Sequence, residues 1–278
     1  MTFRPRPFSL LLWAAAGITL AFLILPVVAL FTEIGPGEIV DQLRTEAVAD
    51  ALRVTAITNG IAFGITLLVG TPAAYLIASR RFPGRQLIVT LVELPLVLPP
   101  AVAGLGLLIA FGRMGLLGDQ VEALGLTIGF TRTAVVMAII FVAGPFYVRQ
   151  AIAAFESVDP DLMLAARTLG AGPGRSFWRV ALPLAASGLG AGAALSLARG
   201  IGEFGATIMF AGSTQGQTQT VTLAIYDLLG LNFDAAIALG ALLVVVSALV
   251  LISLKLVVSW RRLFERTSPF PVGTSSSG

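Results

Sequence analysis

Arg199 and Glu203 are the residues whose types and spacing first suggest chemistry, because both stand within an otherwise apolar stretch. They are four positions apart, which places them on one face of a continuous helix. Charges inside an apolar span are costly and usually face the interior of a helix bundle. Two interpretations stay open. The pair lines or gates a pathway in which Arg199 attracts an anion, or it forms a salt bridge that holds helices together with little net stabilisation.

The sequence contains few of the residues that other kinds of reaction chemistry require. Its 278 residues include no His and no Cys, so the commonest acid–base side chain and the soft metal ligands are missing. It also lacks the Gly-Lys-Ser/Thr loop that cradles nucleotide phosphates. We therefore predict no catalytic, metal-binding or cofactor-binding residues, and any ATP use would belong to a partner subunit. A membrane enzyme is disfavoured.

The composition indicates a protein surrounded by lipid. Hydrophobic residues make up 56% of the chain and charged residues 12%, whereas soluble domains average about 45–50% and about 25%. The net charge is only +3, and nucleic-acid binding requires clustered cations. We therefore predict membrane lipid, and no nucleic acid, among its partners.

Apolar stretches long enough to cross a bilayer recur about six times, since a spanning helix needs roughly 20 apolar residues. The predicted spans are 9–31, 54–79, 86–111, 133–154, 183–210 and 234–259. The predicted fold class is therefore all-α, a polytopic membrane protein of about six transmembrane helices. The first stretch resembles a signal peptide, but it is too long and lacks a clean cleavage site, so we interpret it as a retained helix.

The distribution of cations predicts the orientation of these spans. With the N-terminus inside, thirteen Lys and Arg residues fall in inside segments and four in outside segments. Because cytoplasmic loops are enriched in Lys and Arg, both termini are expected in the cytoplasm. The outer loop 32–53 is acidic and ends in a predicted surface helix. The Ser- and Gly-rich tail 267–278 is predicted to be disordered.

Prolines interrupt the third predicted span. Pro95, Pro99 and Pro100 each lack a backbone donor, so this span must be kinked or broken. Irregular backbone in a membrane is tolerated where it is buried in protein or lines a cavity. Pro99 and Pro100 are therefore candidates for a pathway or for a packing kink. Glu93, in the same span, is expected to pair with an arginine elsewhere or to mark a later start of the span, and Gly104 and Gly106 permit close helix contact.

The longest predicted cytoplasmic loop, 155–182, contains a pattern typical of a short amphipathic helix. Asp159 and Pro160 form a helix start, and Gly170 is a helix stop. Apolar residues between them recur at helical spacing, namely Leu162, Ala165, Ala166 and Leu169. Such a helix suits either a groove on a partner or the membrane surface.

This loop resembles the EAA loop of importer-type ABC permeases. That family has Glu-Ala-Ala, three residues, Gly, nine residues, and then Ile-x-Leu-Pro. The sequence matches the spacing throughout, although Leu164 replaces the Glu and Val180 replaces the Ile. The resemblance implies an ATPase-coupling loop at 155–183 that docks on a cytoplasmic ATPase subunit. Its matching residues are Ala165, Ala166, Gly170, Val180, Leu182 and Pro183.

Further segments resemble molybdate permeases, and sulfate permeases are similar. They are Leu94 to Pro100, Phe111 to Gly118, Gly202 to Thr207, and Thr218 to Tyr226. The resemblance covers about residues 50–260. It implies a type I ABC importer permease fold, with an N-terminal helix and outer loop at 1–53 and a core of five helices at 54–260.

The resemblance also implies partners and a task. The partners are a second permease in a homodimer, two cytoplasmic ATPase subunits, and an external oxyanion-binding protein on loops 112–132 and 211–234. The implied task is molybdate import across the cytoplasmic membrane of a bacterial or archaeal-type cell. Sulfate, thiosulfate or tungstate transport is the alternative. An ion-coupled secondary transporter using Glu93 and Glu203 is an alternative of a different class.

Overall fold

The computed structural model describes residues 7–266, with side chains at residues 8–250, 252 and 253. Every regular element in this part of the chain is helical. The helices are α1 (Pro7–Thr32), α2 (Pro36–Leu43), α3 (Glu46–Ser79), α4 (Arg85–Val97), α5 (Pro100–Phe111), α6 (Gly118–Ala123), α7 (Arg132–Glu156), α8 (Pro160–Thr168), α9 (Pro173–Ser176), a π-helical turn (Phe177–Ala181), α10 (Leu182–Ile201), α11 (Gly205–Ala211), α12 (Val221–Leu228) and α13 (Phe233–Arg266).

The number of spans agrees with the prediction of about six. Among the described residues, five helices are long and apolar enough to cross a membrane, and the bent pair α4–α5 makes six if it is one span. The all-α fold class is therefore confirmed. A short helix, α2, does lie in loop 32–53, but it is not at the end of the loop as predicted, because α3 starts at Glu46, earlier than predicted. Two parts of the prediction lie outside the described residues, namely the disordered tail 267–278 and the N-terminal cations Arg4 and Arg6.

The centre of the bundle is formed by α3, α7 and α10, which pack along one another. Their shared faces carry small residues; on α7, for example, Ala134, Ala138 and Ala143 are buried. A Cβ added to Gly70 of α3 would stand 3.1 Å from the ring of Tyr147 on α7. Small side chains let helix backbones approach closely, which is how helices associate where lipid removes the hydrophobic driving force.

The first helix, α1, stands at the edge of this bundle. None of the residues in the most apolar stretch of α1 is buried within the described chain. Its main contact is with α13. Leu30 near its end packs on a small cluster that includes Ile237 and Ala238. Most of the surface of α1 is therefore left uncovered by the rest of the described chain.

The third predicted span is broken, as its prolines predict. α4 ends at Val97 and α5 begins at Pro100, and their axes differ by 114°. Leu98 has an extended backbone, with φ −70° and ψ 134°, which is the conformation that a following proline favours. Pro95 lies inside α4 and does not end it. The break itself is therefore at Leu98 and Pro99.

The fifth predicted span, 183–210, is wrong as a single helix. α10 ends at Ile201, three residues follow, and the short helix α11 starts at Gly205. Arg199 is on α10, whereas Glu203 lies beyond its end, so the prediction that the two residues share a face of one helix is also wrong. The interruption contains Gly202 and Glu203, and the Glu203 carboxylate caps α11, as described below.

Candidate functional site

The loop between α7 and α10 is folded, and it begins where the sequence places a helix start. The Asp159 carboxylate accepts a hydrogen bond of 2.9 Å from the backbone N–H of Asp161, and Pro160 is the first residue of α8. Side-chain caps of this kind satisfy backbone donors that the first turn leaves free. α8 therefore has a fixed start, independent of any partner.

Gly170 ends α8 by taking up a left-handed conformation, with φ +81°. The N–H of Gly170 donates to the carbonyl of Arg167 at 3.0 Å, and the N–H of Ala171 donates to the carbonyl of Ala166 at 3.0 Å. This pair of bonds is the Schellman motif, which satisfies free carbonyls at a helix end. The glycine of the sequence motif is thus required by backbone conformation, since nothing lies within 4 Å of a Cβ added there.

The outward surface of α8 is not covered by the described chain. Leu162 is 47% exposed and Leu169 is 86% exposed. Ala165 between them is also exposed, whereas Ala166 is half-buried. Most of the predicted apolar stripe is therefore free to contact a partner.

The remaining residues of the predicted coupling loop lie at its base. Val180 belongs to the π-helical turn, Leu182 begins α10, and Pro183 follows in its first turn. Val180 and Leu182 are half-buried and Pro183 is exposed. These three residues therefore join the loop to α10, while Ala165, Ala166 and Gly170 form its projecting part.

An aromatic cluster fixes this base to the bundle. The ring of Phe177 lies 4.7 Å from that of Tyr75 on α3 and 6.2 Å from that of Phe155 on α7, measured between centroids. Tyr75 and Phe155 meet edge to face at 5.3 Å, a favourable arrangement for aromatic pairs. The base of the loop is therefore packed against both α3 and α7.

A second group of predicted residues meets where the two broken spans touch. A Cβ added to Gly205, the first residue of α11, would stand 2.9 Å from the Cβ of Pro100. One added to Gly104 would stand 2.5 Å from the carbonyl oxygen of Ala206. The starts of α5 and α11 thus lie against each other, closer than any larger residue would allow. Gly104 makes the predicted close contact; nothing described lies within 4 Å of a Cβ at Gly106.

Glu203 organises this junction. Its side chain is 1% exposed, and Oε2 lies 2.7 Å from a guanidinium nitrogen of Arg199, which is 27% exposed. Oε1 accepts a hydrogen bond of 2.7 Å from the N–H of Ala206 in the first turn of α11. The Glu203 carbonyl accepts a 2.6 Å bond from the hydroxyl of Thr222. One carboxylate therefore pairs with a charge on α10 and caps α11, so the residues form the salt bridge that was one of the two interpretations.

Glu93 has the arginine partner that the sequence leaves unidentified. It forms an ion pair with Arg149 of α7, and Arg85 at the start of α4 forms another with Glu156 at the end of α7. The N–H at Nε of Arg85 also donates to the carbonyl of Ile77 at 2.8 Å. These contacts tie α4 to α7 through two ion pairs and to α3 through one hydrogen bond.

Sequence reasoning missed several polar contacts inside the bundle. Thr55 of α3 accepts a 2.8 Å hydrogen bond from the N–H of Val221, which starts α12. Ser196 of α10 donates at 2.8 Å to the carbonyl of Ala143. Their sequence signal was weak because Thr and Ser are common in membrane helices, where they also bond to their own backbone. Among the described residues no group of three or more acidic side chains could hold a metal ion.

Comparison with known proteins agrees with this architecture. Residues 67–263 match the model of the family described as binding-protein-dependent transport system inner membrane component. The molybdenum transport system permease protein ModB of Mycobacterium tuberculosis is 42% identical over 86% of this chain and 90% of its own length. The sulfate transport system permease protein CysW of Synechococcus elongatus is 35% identical over 84% of this chain and 86% of its own.

A solved structure shows the same fold. The crystal structure of a bacterial alginate ABC transporter, in complex with its alginate pentasaccharide-bound periplasmic protein, contains a chain similar to this one with a TM-score of 0.72. The match covers 88% of this chain and 92% of that one, at 23% identity. The chain therefore belongs to the family of inner membrane components of binding-protein-dependent transport systems, as a multi-pass ABC permease and not an enzyme.

Proposed function

We propose that this chain is the permease subunit of an ATP-binding-cassette importer that carries molybdate across the cytoplasmic membrane. The observation that carries the choice of substrate is its extensive similarity to molybdenum transport permeases. Sulfate is the second candidate, because a sulfate permease is also similar over most of the chain. Thiosulfate and tungstate are further candidates, since each is a doubly charged oxyanion of tetrahedral shape.

The geometry of α8 supports its role as the element that docks on an ATPase subunit. The helix is capped at both ends within the chain, and it presents Leu162, Ala165 and Leu169 outward. An amphipathic helix with an uncovered apolar face suits a groove on a partner. Its base is packed on α3 and α7 through Phe177. Movement of the ATPase would thus reach the centre of the bundle through α8.

The junction of α5 and α11 is the proposed translocation element. Irregular backbone at membrane depth is tolerated where it is buried in protein or borders a cavity. The Arg199 side chain, at 27% exposed, is the accessible member of its ion pair, and it would attract an oxyanion. Pro99 and Pro100 and the Arg199–Glu203 pair would serve as the gate, opened when the surrounding helices shift.

The proposed assembly contains two copies of this chain, two ATPase subunits and an external binding protein. Loops 112–132 and 211–234 would receive the binding protein. The first presents Met114 and Leu116, which are 102% and 79% exposed. In the second, the Thr214 carbonyl accepts hydrogen bonds from three backbone N–H groups, at 2.9–3.1 Å, so the loop has a defined shape before docking. Both termini would face the cytoplasm, with ATP bound only by the ATPase subunits.

Transport by reconstituted protein tests this proposal. Vesicles would contain the permease and its ATPase, with binding protein supplied outside and ATP inside. We expect molybdate uptake that requires ATP and the ATPase, and that excess sulfate reduces only weakly. Uptake of sulfate that excess molybdate leaves unchanged would contradict the substrate. Full uptake driven by an ion gradient without ATPase would contradict the coupling mechanism and favour a secondary transporter, although Glu93 and Glu203 are both already paired with arginines.

A further inference from the structure

A cleft of about 670 Å³ opens beside α8, between the end of α3, the start of α4 and the end of α7. Four arginines line it, together with two acidic residues, Glu156 and Asp161. The arginines are Arg80, Arg81, Arg85 and Arg167. The cleft therefore has two more positive than negative side chains. We call it the basic cleft.

Most of this positive charge has no partner within the described chain. Arg85 is paired with Glu156, but the ion pairs among the described residues include none of Arg80, Arg81 and Arg167. All three are exposed. Leu164 also lines the cleft, at the position where the EAA pattern has a glutamate. The chain thus places three free guanidinium groups around one opening and omits an acid that could have neutralised them.

The floor of the basic cleft is apolar. Tyr75, Phe155 and Met163 line it, and the first two belong to the aromatic cluster described above. Exposed apolar side chains stand close in sequence to the residues that line the cleft. Leu76, one residue from Tyr75, is 52% exposed, and Leu87, two residues from Arg85, is 63% exposed. A ligand here would meet cations at the rim and apolar side chains below and beside them.

We infer that the basic cleft binds the headgroup of an anionic phospholipid. The phosphate and the charged headgroup contact Arg80, Arg81 and Arg167, while the glycerol and upper acyl chains lie on Tyr75 and Met163. Arginine is well suited to phosphate because its planar fork donates two parallel hydrogen bonds. Basic pockets between membrane helices at the level of the headgroups bind lipids in this way. The cleft opens where α3 and α7, two candidate membrane spans, both end.

This inference stands apart from the choice of transported ion, but it has a consequence for coupling. Arg167 is on α8, whereas Arg80 and Arg81 follow α3 directly. A headgroup bound by all three bridges the projecting helix to the bundle. The lipid would therefore fix the position of α8 before an ATPase subunit docks.

Binding of short-chain lipids to the purified full-length chain tests the inference. Dioctanoyl phosphatidylglycerol, dioctanoyl phosphatidylcholine, inorganic phosphate and molybdate would be titrated separately, and binding followed by native mass spectrometry and by the shift in unfolding temperature. We expect phosphatidylglycerol to bind and to raise the unfolding temperature of the protein. The other three compounds should bind weakly and change the unfolding temperature little. Equal effects of the two lipids would overturn the inference. A full effect of phosphate or molybdate alone would assign the cleft to a free oxyanion instead.

Two matched variants locate the site. Replacing Arg80, Arg81 and Arg167 by Gln should weaken phosphatidylglycerol binding by roughly fivefold per arginine, or about 100-fold together. Replacing the three by Lys keeps the charge and should retain most of the binding. The control replaces three exposed arginines outside the cleft, Arg44, Arg175 and Arg179, by Gln and loses the same charge. Equal weakening in the control would show non-specific attraction and contradict the site.

Discussion

The two parts of the candidate functional site use glycine for opposite reasons. In the predicted coupling loop, Gly170 stands in open space and is needed because its backbone is left-handed. At the junction of the broken spans, Gly104 and Gly205 have no positive φ, and they are needed because neighbouring atoms leave no room for a Cβ. One glycine ends the exposed helix α8, and the others permit backbone contact inside the bundle.

The same contrast extends to polar and apolar groups. The coupling loop leaves large apolar side chains such as Leu169 uncovered, whereas at the junction the carboxylate of Glu203 has a partner on each oxygen. The loop therefore leaves apolar surface uncovered within the described chain, whereas Glu203 is enclosed by contacts inside the chain, with an ion pair but no hydrogen bond on Oε2. Substitutions in the loop should change association more than stability, and substitutions at the junction should do the reverse.

The largest effect is expected from Gly170→Arg in the coupling loop. An arginine must adopt a positive φ there, at a cost of about 1–2 kcal/mol, and it places a bulky cation on the docking surface. We expect co-purification with the ATPase subunit to be abolished while the permease still folds. Gly174→Arg is the matched control, since Gly174 is exposed in the same loop and has no positive φ. Undiminished association of the Gly170→Arg protein would show that the loop is not the docking element.

Glu203→Ala should be the most destabilising change at the junction. It leaves Arg199 without its ion pair and removes the cap from α11. Breaking a buried ion pair on one side costs about 3–5 kcal/mol, and the partial exposure of Arg199 puts the expected loss at the lower end. Thermal unfolding in detergent measures it. Glu203→Gln keeps an oxygen for the N–H of Ala206 and should lose less. If the alanine and glutamine variants both unfold at the same temperature as the unchanged protein, the stability of the junction does not depend on this pair.

A smaller loss of stability is expected from Gly104→Ala. The added methyl group would stand 2.5 Å from the carbonyl oxygen of Ala206, so α5 and α11 must move apart. Overpacking of this kind costs about 1–3 kcal/mol, observable as a lower unfolding temperature. Gly106→Ala, on the same helix with nothing within 4 Å, should be neutral or slightly stabilising because alanine favours helix. The same response at both positions would mean that contact with α11 is not what Gly104 provides.

Local signals in the sequence were sufficient to predict α8. Its start depends on Asp159 and Pro160 and its end on Gly170, and all three act on residues within one turn. The break before α5 was also predictable, because Pro99 and Pro100 remove backbone donors whatever surrounds them. Such features need no knowledge of distant parts of the chain.

The features that the sequence did not predict depend on distant partners. Two ion pairs join α4, on one side of the 114° bend, to α7, and Arg149 is 56 positions from Glu93. Beyond the end of α10, the carbonyl of Glu203 accepts a hydrogen bond from Thr222, 19 positions away. Within the window of a single span, glycine-rich apolar sequence is equally compatible with one continuous helix or with two.

The exposed position of α1 has an evolutionary consequence. Because α1 has few neighbours within the chain, selection can act on its length and its hydrophobicity. It can hardly act on the shape of individual side chains. Its 26 residues extend about 39 Å, which exceeds a hydrocarbon layer of about 30 Å. A leucine-rich replacement of similar length should therefore be tolerated there, and this helix should drift in sequence faster than the alanine-lined face of α7.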